Sequence, residues 1–522
     1  MKNNKLLLQK IIRGNKLLIL ILIIGILVRI YSFGTIPPGL NQDEASIGYE
    51  AFSILNYGID RNGFHNPVHL ISWGSGQNAL YAYLSMPFIY LFGLNVFSIR
   101  LLNLIFGLMS LFIFYFLIKK ISNEKAALIS TFLLSICPWH IIASRWGLES
   151  NIFPFIFLSG VFFLILSLEK NFYLPISFFF SALSLYAYGT SYFIVPLFLL
   201  ISSVYLIFHK KIKPKMLIIS FVIFLIIALP IFLFLIINHY ELDSIETNIL
   251  SIPRLPDIPR HTAESIFGNK LVNRLSSNLG KFWNLLKTQN DGLIWNNLPP
   301  YGFLYLSSLP LTFLGILLVF LKNLKVKKEF HKSFFVLIWF FLSIVLAILM
   351  EVNINRINII FFPIIFFTAL GLLYIKNNFN KIIFIILIVL YSLSFTFFLY
   401  SYFVQYPEKI GPEFFESFGD AINYASDTNK SICITEQANM LYIFILFYKK
   451  IDPNIFINTV KYENGIFGAI NSFDRYYFGL KNDNCEAYVF HRLELKNMPK
   501  KYFFIKNFKY YSVAIRRDQI AK

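Results

Sequence analysis

The stretch PPGLNQDEASIGYEA, residues 37–51, places two adjacent carboxylates, Asp43 and Glu44, directly after the first long apolar run of a chain with only 28 acids in 522 residues. A carboxylate beside a membrane can serve as a general base at the membrane's outer face, close to a lipid headgroup. The same residues also suit a helix start, because acids in a first turn face the positive end of the helix dipole. The residues alone leave both roles open.

The cations narrow the chemistry. The chain holds 13 Arg and 34 Lys, so Lys is its default cation. Yet those expected in short outward loops and at outer helix ends are Arg29, Arg61, Arg100, Arg145 and Arg356, with no Lys among them. A guanidinium holds phosphate with a planar fork and keeps its charge; the alternative is a side chain that snorkels to the interface. An acid and a fixed cation at one membrane face suit the displacement of a lipid phosphate from an anomeric carbon. The base deprotonates the acceptor hydroxyl and positive charge stabilises the departing phosphate. Direct displacement inverts the anomeric centre.

Membrane helices must position these residues. The chain is 57% hydrophobic, 18% aromatic and 14% charged, with a mean hydropathy of +0.61. Apolar runs of about 20 residues, the hydrocarbon thickness of a bilayer, recur along it. Spans are expected near residues 16–34, 96–118, 126–143, 152–169, 173–189, 191–208, 216–237, 303–321, 334–350, 358–375 and 382–403. The N-terminus, MKNNKLLLQKIIRGNK, resembles a signal peptide's charged start, but the run after it is long and no small-residue cleavage pattern follows, so it reads as a first span. With that end inside, the cytoplasmic pieces carry 20 Lys and Arg, 19 of them Lys, as the positive-inside rule requires.

The stretch NALYAYLSMPFIYLFGL (78–94) reads as interfacial, since spanning would flip every later loop. Residues 35–95 and 238–302 are then outward loops, and residues 1–404 one membrane domain. Residues 405–522 mix strand-like SICIT and YYSVAI with a helical stretch, enough for a small external α/β domain. Cys433 and Cys485 could bridge on an oxidising side, and the sequence leaves that open.

Four stretches together, PPGLNQDEASIGYEA, LYAYLSMPFIYLFGLNVFSIRLLNLIFG, PWHIIASRWGLESNIFP and SLYAYGTSYFIVP, resemble the dolichyl-phosphate-mannose protein mannosyltransferase superfamily, whose bacterial relatives include the aminoarabinose transferases of lipid A. The resemblance covers roughly residues 16–400. It implies an all-α polytopic membrane protein of the GT-C glycosyltransferase class, with about 11 transmembrane helices plus interfacial helices and, here, a small C-terminal α/β extracytoplasmic domain. By the resemblance, Asp43 is the acid that activates the acceptor and Glu44 its positioning neighbour. Arg356, in NINRINIIFFP, approaches the donor phosphate, although Ile357 stands where relatives carry tyrosine. Relatives often have Lys-Pro-Pro before the interfacial Leu-Tyr; this chain has Gln77-Asn78-Ala79, so either Arg61 or Arg100 replaces that lysine or the donor sits differently. Arg145, Glu149, Tyr186, Tyr188 and Gln77 are expected to line the cavity.

Other chemistries find little support. The net charge of +19 comes without a basic stripe or nucleic-acid motif. GSGQNA follows no buried strand, and no P-loop, D-x-D or HExxH occurs. His65 and His69 stand four apart around Asn66-Pro67, a poor metal pair. No motif calls for a cofactor, and a divalent metal is left open without a ligand set. The sequence thus reads as a multi-pass cell-membrane glycosyltransferase, N-terminus cytoplasmic and C-terminal domain outside. It is expected to use a polyprenyl-phosphate sugar, amid membrane lipid, to modify an extracytoplasmic glycan, lipid or protein. A transporter or flippase of lipid-linked sugars would carry paired repeats and functional charges inside its helices; a wall-polymer ligase is the other alternative.

Overall fold

The computed structural model describes residues 16–72, 75–256, 271–325, 329–427, 431–436, 440–463, 469–480, 485–497 and 501–517. The basic stretch 1–15, Gly74 of GSGQNA and Lys327 and Lys328 of the lysine cluster lie outside the described residues.

A helix occupies every expected span. Lys16–Ile30, Val96–Ile121, Glu149–Ser167, Tyr173–Ser184, Ser191–Phe208, Pro214–His239, Ser308–Lys325, Ser333–Leu349, Phe361–Asn378 and Lys381–Tyr400 each form one. The span expected over 126–143 divides instead into Glu124–Ser135 and Pro138–Ala143. Pro138 cannot donate a helical N–H and is tolerated only in a first turn, so the chain restarts there. Among the described residues, six helices are long and apolar enough to cross a membrane. Two of these windows, in Pro214–His239 and Lys381–Ile410, are only 17% and 11% buried. Their outward Ile, Leu, Val and Phe side chains would be costly in water and suit lipid. The Leu80–Phe92 helix has 13 residues, with Pro87 inside. At 1.5 Å per residue it reaches about 20 Å, short of the hydrocarbon thickness.

The chain divides into two compact units. The first joins residues 1–33, 103–229 and 264–404 and is helical where described. In it, Ser308–Lys325 packs against Phe361–Asn378. There a Cβ on Gly315 would meet the Phe367 carbonyl, and one on Gly371 the Leu311 carbonyl. Small residues let the two backbones touch, and Thr312 and Thr368 hydroxyls bond across the seam at 2.8 Å.

The second unit joins residues 34–102, 230–263 and 405–522. A seven-stranded sheet runs in the order Phe503–Asn507, Tyr511–Arg516, Ala487–His491, Ile432–Ile434, Tyr476–Phe478, Ile470–Phe473, Lys461–Tyr462. Ile432–Ile434 pairs in parallel with both neighbours, and the other pairings are antiparallel. A disulfide joins Cys433 to Cys485, with Cα atoms 5.7 Å apart. Residues 405–522 pack in this unit with residues 34–102. Leu40 N–H donates to Phe414 O at 2.6 Å, and the Tyr49 hydroxyl to Ile451 O at 2.7 Å.

Candidate active site

The Gln42–Tyr57 helix begins with a reciprocal cap: Asn41 Oδ1 accepts from Asp43 N–H at 2.9 Å, and Glu44 Oε2 accepts from Asn41 N–H at 3.0 Å. This satisfies donors that a helix start leaves without partners. The two acids then part ways. Glu44 is fully buried, and its Oε1 and Oε2 accept from Arg100 Nε and Nη2, both at 2.8 Å. Arg100 also donates to Pro37 O at 2.6 Å and Gly39 O at 2.9 Å, fixing the turn before the helix. Asp43 stays half-buried in the first turn. The pair is therefore both a helix start and an unequal couple.

Arg61 is also engaged within its own unit. Its Nε lies 3.1 Å from Glu50 Oε1, its backbone N–H donates to Glu50 Oε2 at 2.9 Å, and its fork reaches Ser46, Ser72 and Ile71 O. Gln77 joins this cluster by accepting from Ser46 Oγ at 3.0 Å. Asp60 completes it, taking N–H bonds from Asn62 and Phe64 at 2.9 Å each. Burial raises both the Glu50 and the Asp60 carboxyls, and Arg61 opposes the shift in each. Neither acid was singled out from the sequence; the available signal was a Glu, an Asp and an Arg within twelve positions of a charge-poor chain. His65 and His69 have other partners. His65 Nδ1 lies 3.0 Å from Gly58 O, and His69 stacks on Phe234 at 4.3 Å. Among the described residues no group of three or more His, Cys, Asp or Glu side chains is placed to hold a metal ion.

The remaining expected residues lie in the helical unit. Arg145 is buried and donates to the Val28, Arg29 and Ser32 carbonyls at 2.8–3.2 Å, closing the end of the first helix. Arg29 does the same for Gly25, Leu134 and Ser135, and its Nη2 meets His140 Nδ1 at 2.7 Å. Glu149 opens the Glu149–Ser167 helix. The Tyr186 hydroxyl donates to Ile227 O at 2.7 Å, and Tyr188 is half-buried. A cavity in this unit is lined by Asn103, Ser110, His140, Ser144, Asn151 and Phe362 among others, and not by the five residues expected to line one. Asn103 Oδ1 and Asn151 Nδ2 are buried without a protein partner.

Arg356 differs from Arg29, Arg61, Arg100 and Arg145. Its side chain is 23% exposed, and its Nη1 donates to Glu351 O at 2.9 Å and lies 4.0 Å from the Glu351 carboxylate. The loop that carries it is fixed from behind: Asp291 Oδ2 accepts from Ile354 N–H at 2.9 Å, and Asn353 Oδ1 from Arg356 N–H at 2.8 Å. Apart from Arg145, Glu149, Tyr186 and Tyr188, the site residues thus fall in three groups: Asp43, Glu44 and Arg100; Arg61 and Gln77 with Glu50 and Asp60; and Arg356 with Glu351.

Residues 78–236 match the family model described as dolichyl-phosphate-mannose-protein mannosyltransferase. The chain is similar in fold to ArnT from Cupriavidus metallidurans in the apo state, at 12% identity and a TM-score of 0.54, over 95% of this chain and 97% of that one. The same protein bound to undecaprenyl phosphate matches at 10% identity and a TM-score of 0.54, over 96% and 98%. The archaeal oligosaccharyltransferase AglB from Archaeoglobus fulgidus, in complex with an inhibitory peptide and a dolichol-phosphate, matches at 14% identity and a TM-score of 0.52, over 92% and 69%. No curated protein sequence matches significantly. The family match and the shared fold bear out the resemblance read from the sequence.

Proposed function

We propose that this protein is a membrane glycosyltransferase that moves a sugar from a polyprenyl-phosphate carrier to an extracytoplasmic glycan, lipid or protein, with inversion. The observation that carries the reading is the unequal acid pair. Both Glu44 oxygens are held by Arg100, whereas Asp43 keeps part of its surface open on the same turn. Asp43 is the base that takes the acceptor's proton, and Glu44 fixes the turn that presents it. Arg356, the most accessible of the outward arginines, receives the donor phosphate and stabilises it as it leaves. Arg61 and Arg100 act as positioning residues within the unit that carries Asp43. Similarity to a fold solved with undecaprenyl phosphate supports the lipid-linked donor. The Cys433–Cys485 disulfide supports an oxidising, extracytoplasmic side for the C-terminal sheet.

The test is transfer by the purified chain in lipid vesicles, with polyprenyl-phosphate sugars offered as donors. Transport of such a lipid across the bilayer without any transfer would favour a flippase instead.

A further inference from the structure

We infer that Glu351 is a built-in competitor for the phosphate that Arg356 receives, and that Lys281 is a second cation of the same site. The inference rests on the assignment of Arg356 made above. Glu351 lies just past the Ser333–Leu349 helix, and its Oε1 meets Lys281 Nζ at 2.7 Å. Its Oε2 lies 4.0 Å from Arg356 Nη1. One carboxylate thus faces two cations, which leaves the trio with a net charge of about +1 at neutral pH. The Lys281 hydrogen bond holds the Glu351 carboxyl below its usual range, so it is an anion there.

The trio stands on fixed supports but is itself exposed. Asn278 Nδ2 donates to Ile348 O at 3.0 Å, binding the Leu271–Thr288 helix to the end of Ser333–Leu349. Asp291 fixes the loop on the other side. The Glu351 side chain, by contrast, is 61% exposed and Lys281 52%. A carboxylate held only by exposed ion pairs swings away at small cost. A phosphate brings more oxygens to the same two cations and suits the guanidinium fork. Leu279 and Trp283, one turn apart on the side of this helix away from Lys281, are more than half exposed. A helix with outward apolar side chains on one side and an ammonium on the other suits the membrane interface, where the ammonium reaches headgroup level. The anion is therefore lipid-borne. Return of Glu351 also helps to expel the spent carrier phosphate, which has more charge than the donor diester.

The experiment measures undecaprenyl phosphate binding to the full chain in phosphatidylcholine vesicles, with inorganic phosphate as a second probe. Glu351→Gln is expected to tighten undecaprenyl phosphate about 3–5-fold, the scale of one exposed ion pair. Lys281→Gln is expected to weaken it by a similar factor, with inorganic phosphate a poor competitor throughout. If Glu351 and Lys281 only bolt the two helices together, both variants shift binding in the same direction and lower the melting temperature alike, and that result overturns the inference. Equal competition by inorganic phosphate overturns the lipid-borne anion. Arg356→Ala separates the two levels: unchanged binding there removes the parent assignment, whereas weakened binding with an unresponsive Glu351→Gln removes only the competitor.

Discussion

Glu44 and Arg100 form a two-point ion pair, Oε1 to Nε and Oε2 to Nη2 at 2.8 Å each, with both side chains at 0% exposure. A buried pair of this kind is weak evidence of net stabilisation, but removing one partner strands the other charge out of water. Arg100→Gln is expected to cost about 3–5 kcal/mol. The double variant Arg100→Gln/Glu44→Gln is expected to recover part of that. Arg100→Lys should not rescue, because the fork also holds the Pro37 and Gly39 carbonyls. Thermal unfolding in detergent checks this. Full stability with weakened donor binding would make Arg100 a phosphate ligand instead.

A pH dependence follows from His69, which burial holds neutral with its pKa lowered from 6.5 to about 4. The unfolded chain binds more protons than the folded one between those values. Stability is therefore fully present above about pH 6.5 and is lost as pH falls towards 4, by about 3 kcal/mol in total. His69→Phe keeps a ring against Phe234 and removes the titration. The melting temperature of wild type relative to His69→Phe is expected to fall across that window. A constant difference would show that His69 titrates normally.

The Cys433–Cys485 bridge ties the Ile432–Ile434 strand to the residue two before its parallel neighbour, Ala487–His491. Reduction, or Cys433→Ser, is expected to destabilise the sheet by about 2–5 kcal/mol. Maleimide labelling of the denatured chain should find one thiol, Cys137, before reduction and three after it. Three labelled thiols before reduction would refute the bridge.

Topology is tested by single cysteines in intact cells. Labelling from outside is expected at Asn62, in the first outward loop, and at Asn454, in the C-terminal sheet domain. It should fail at Asn123 and Lys211, in the short lysine-bearing turns. Reversed reactivity would invert the orientation inferred from the lysine clusters.

Much of this fold was legible in the sequence, because a helix in lipid must satisfy its backbone internally and so announces itself as an apolar run. The break at Pro138 shows the limit, since hydropathy does not register a missing N–H. The arginine pattern was legible but means something different from a phosphate site alone. Arg29, Arg61, Arg100 and Arg145 are buried, and each holds main-chain carbonyls of its own unit, with a carboxylate added for Arg61 and Arg100. A guanidinium has five donors in a rigid fork and is more weakly hydrated than an ammonium, which suits it to these interior sites. The Lys281–Glu351 and Asp291–Ile354 contacts join residues 70 and 63 positions apart. Local spacing has no signal for such pairs.

Arg356 carries the proposed contact with the leaving phosphate. Arg356→Lys keeps the charge but loses the fork, and is expected to weaken donor use by about 1–3 kcal/mol. The ratio kcat/KM at varied donor concentration measures it. An unchanged ratio in Arg356→Ala would reduce this arginine to an interfacial anchor.

The central claim is that Asp43 is the base. The helix cap depends on Asn41 and Glu44 side chains, so Asp43→Asn leaves the helix start intact, yet the amide cannot take a proton. The decisive measurement is single-turnover transfer from a polyprenyl-phosphate sugar by Asp43→Asn and Glu44→Gln in lipid vesicles, with the melting temperature of each as control. The account predicts that Asp43→Asn keeps the wild-type melting temperature and loses about 10²–10⁴-fold in rate, while Glu44→Gln loses stability along with activity. Near-wild-type transfer by Asp43→Asn would contradict it.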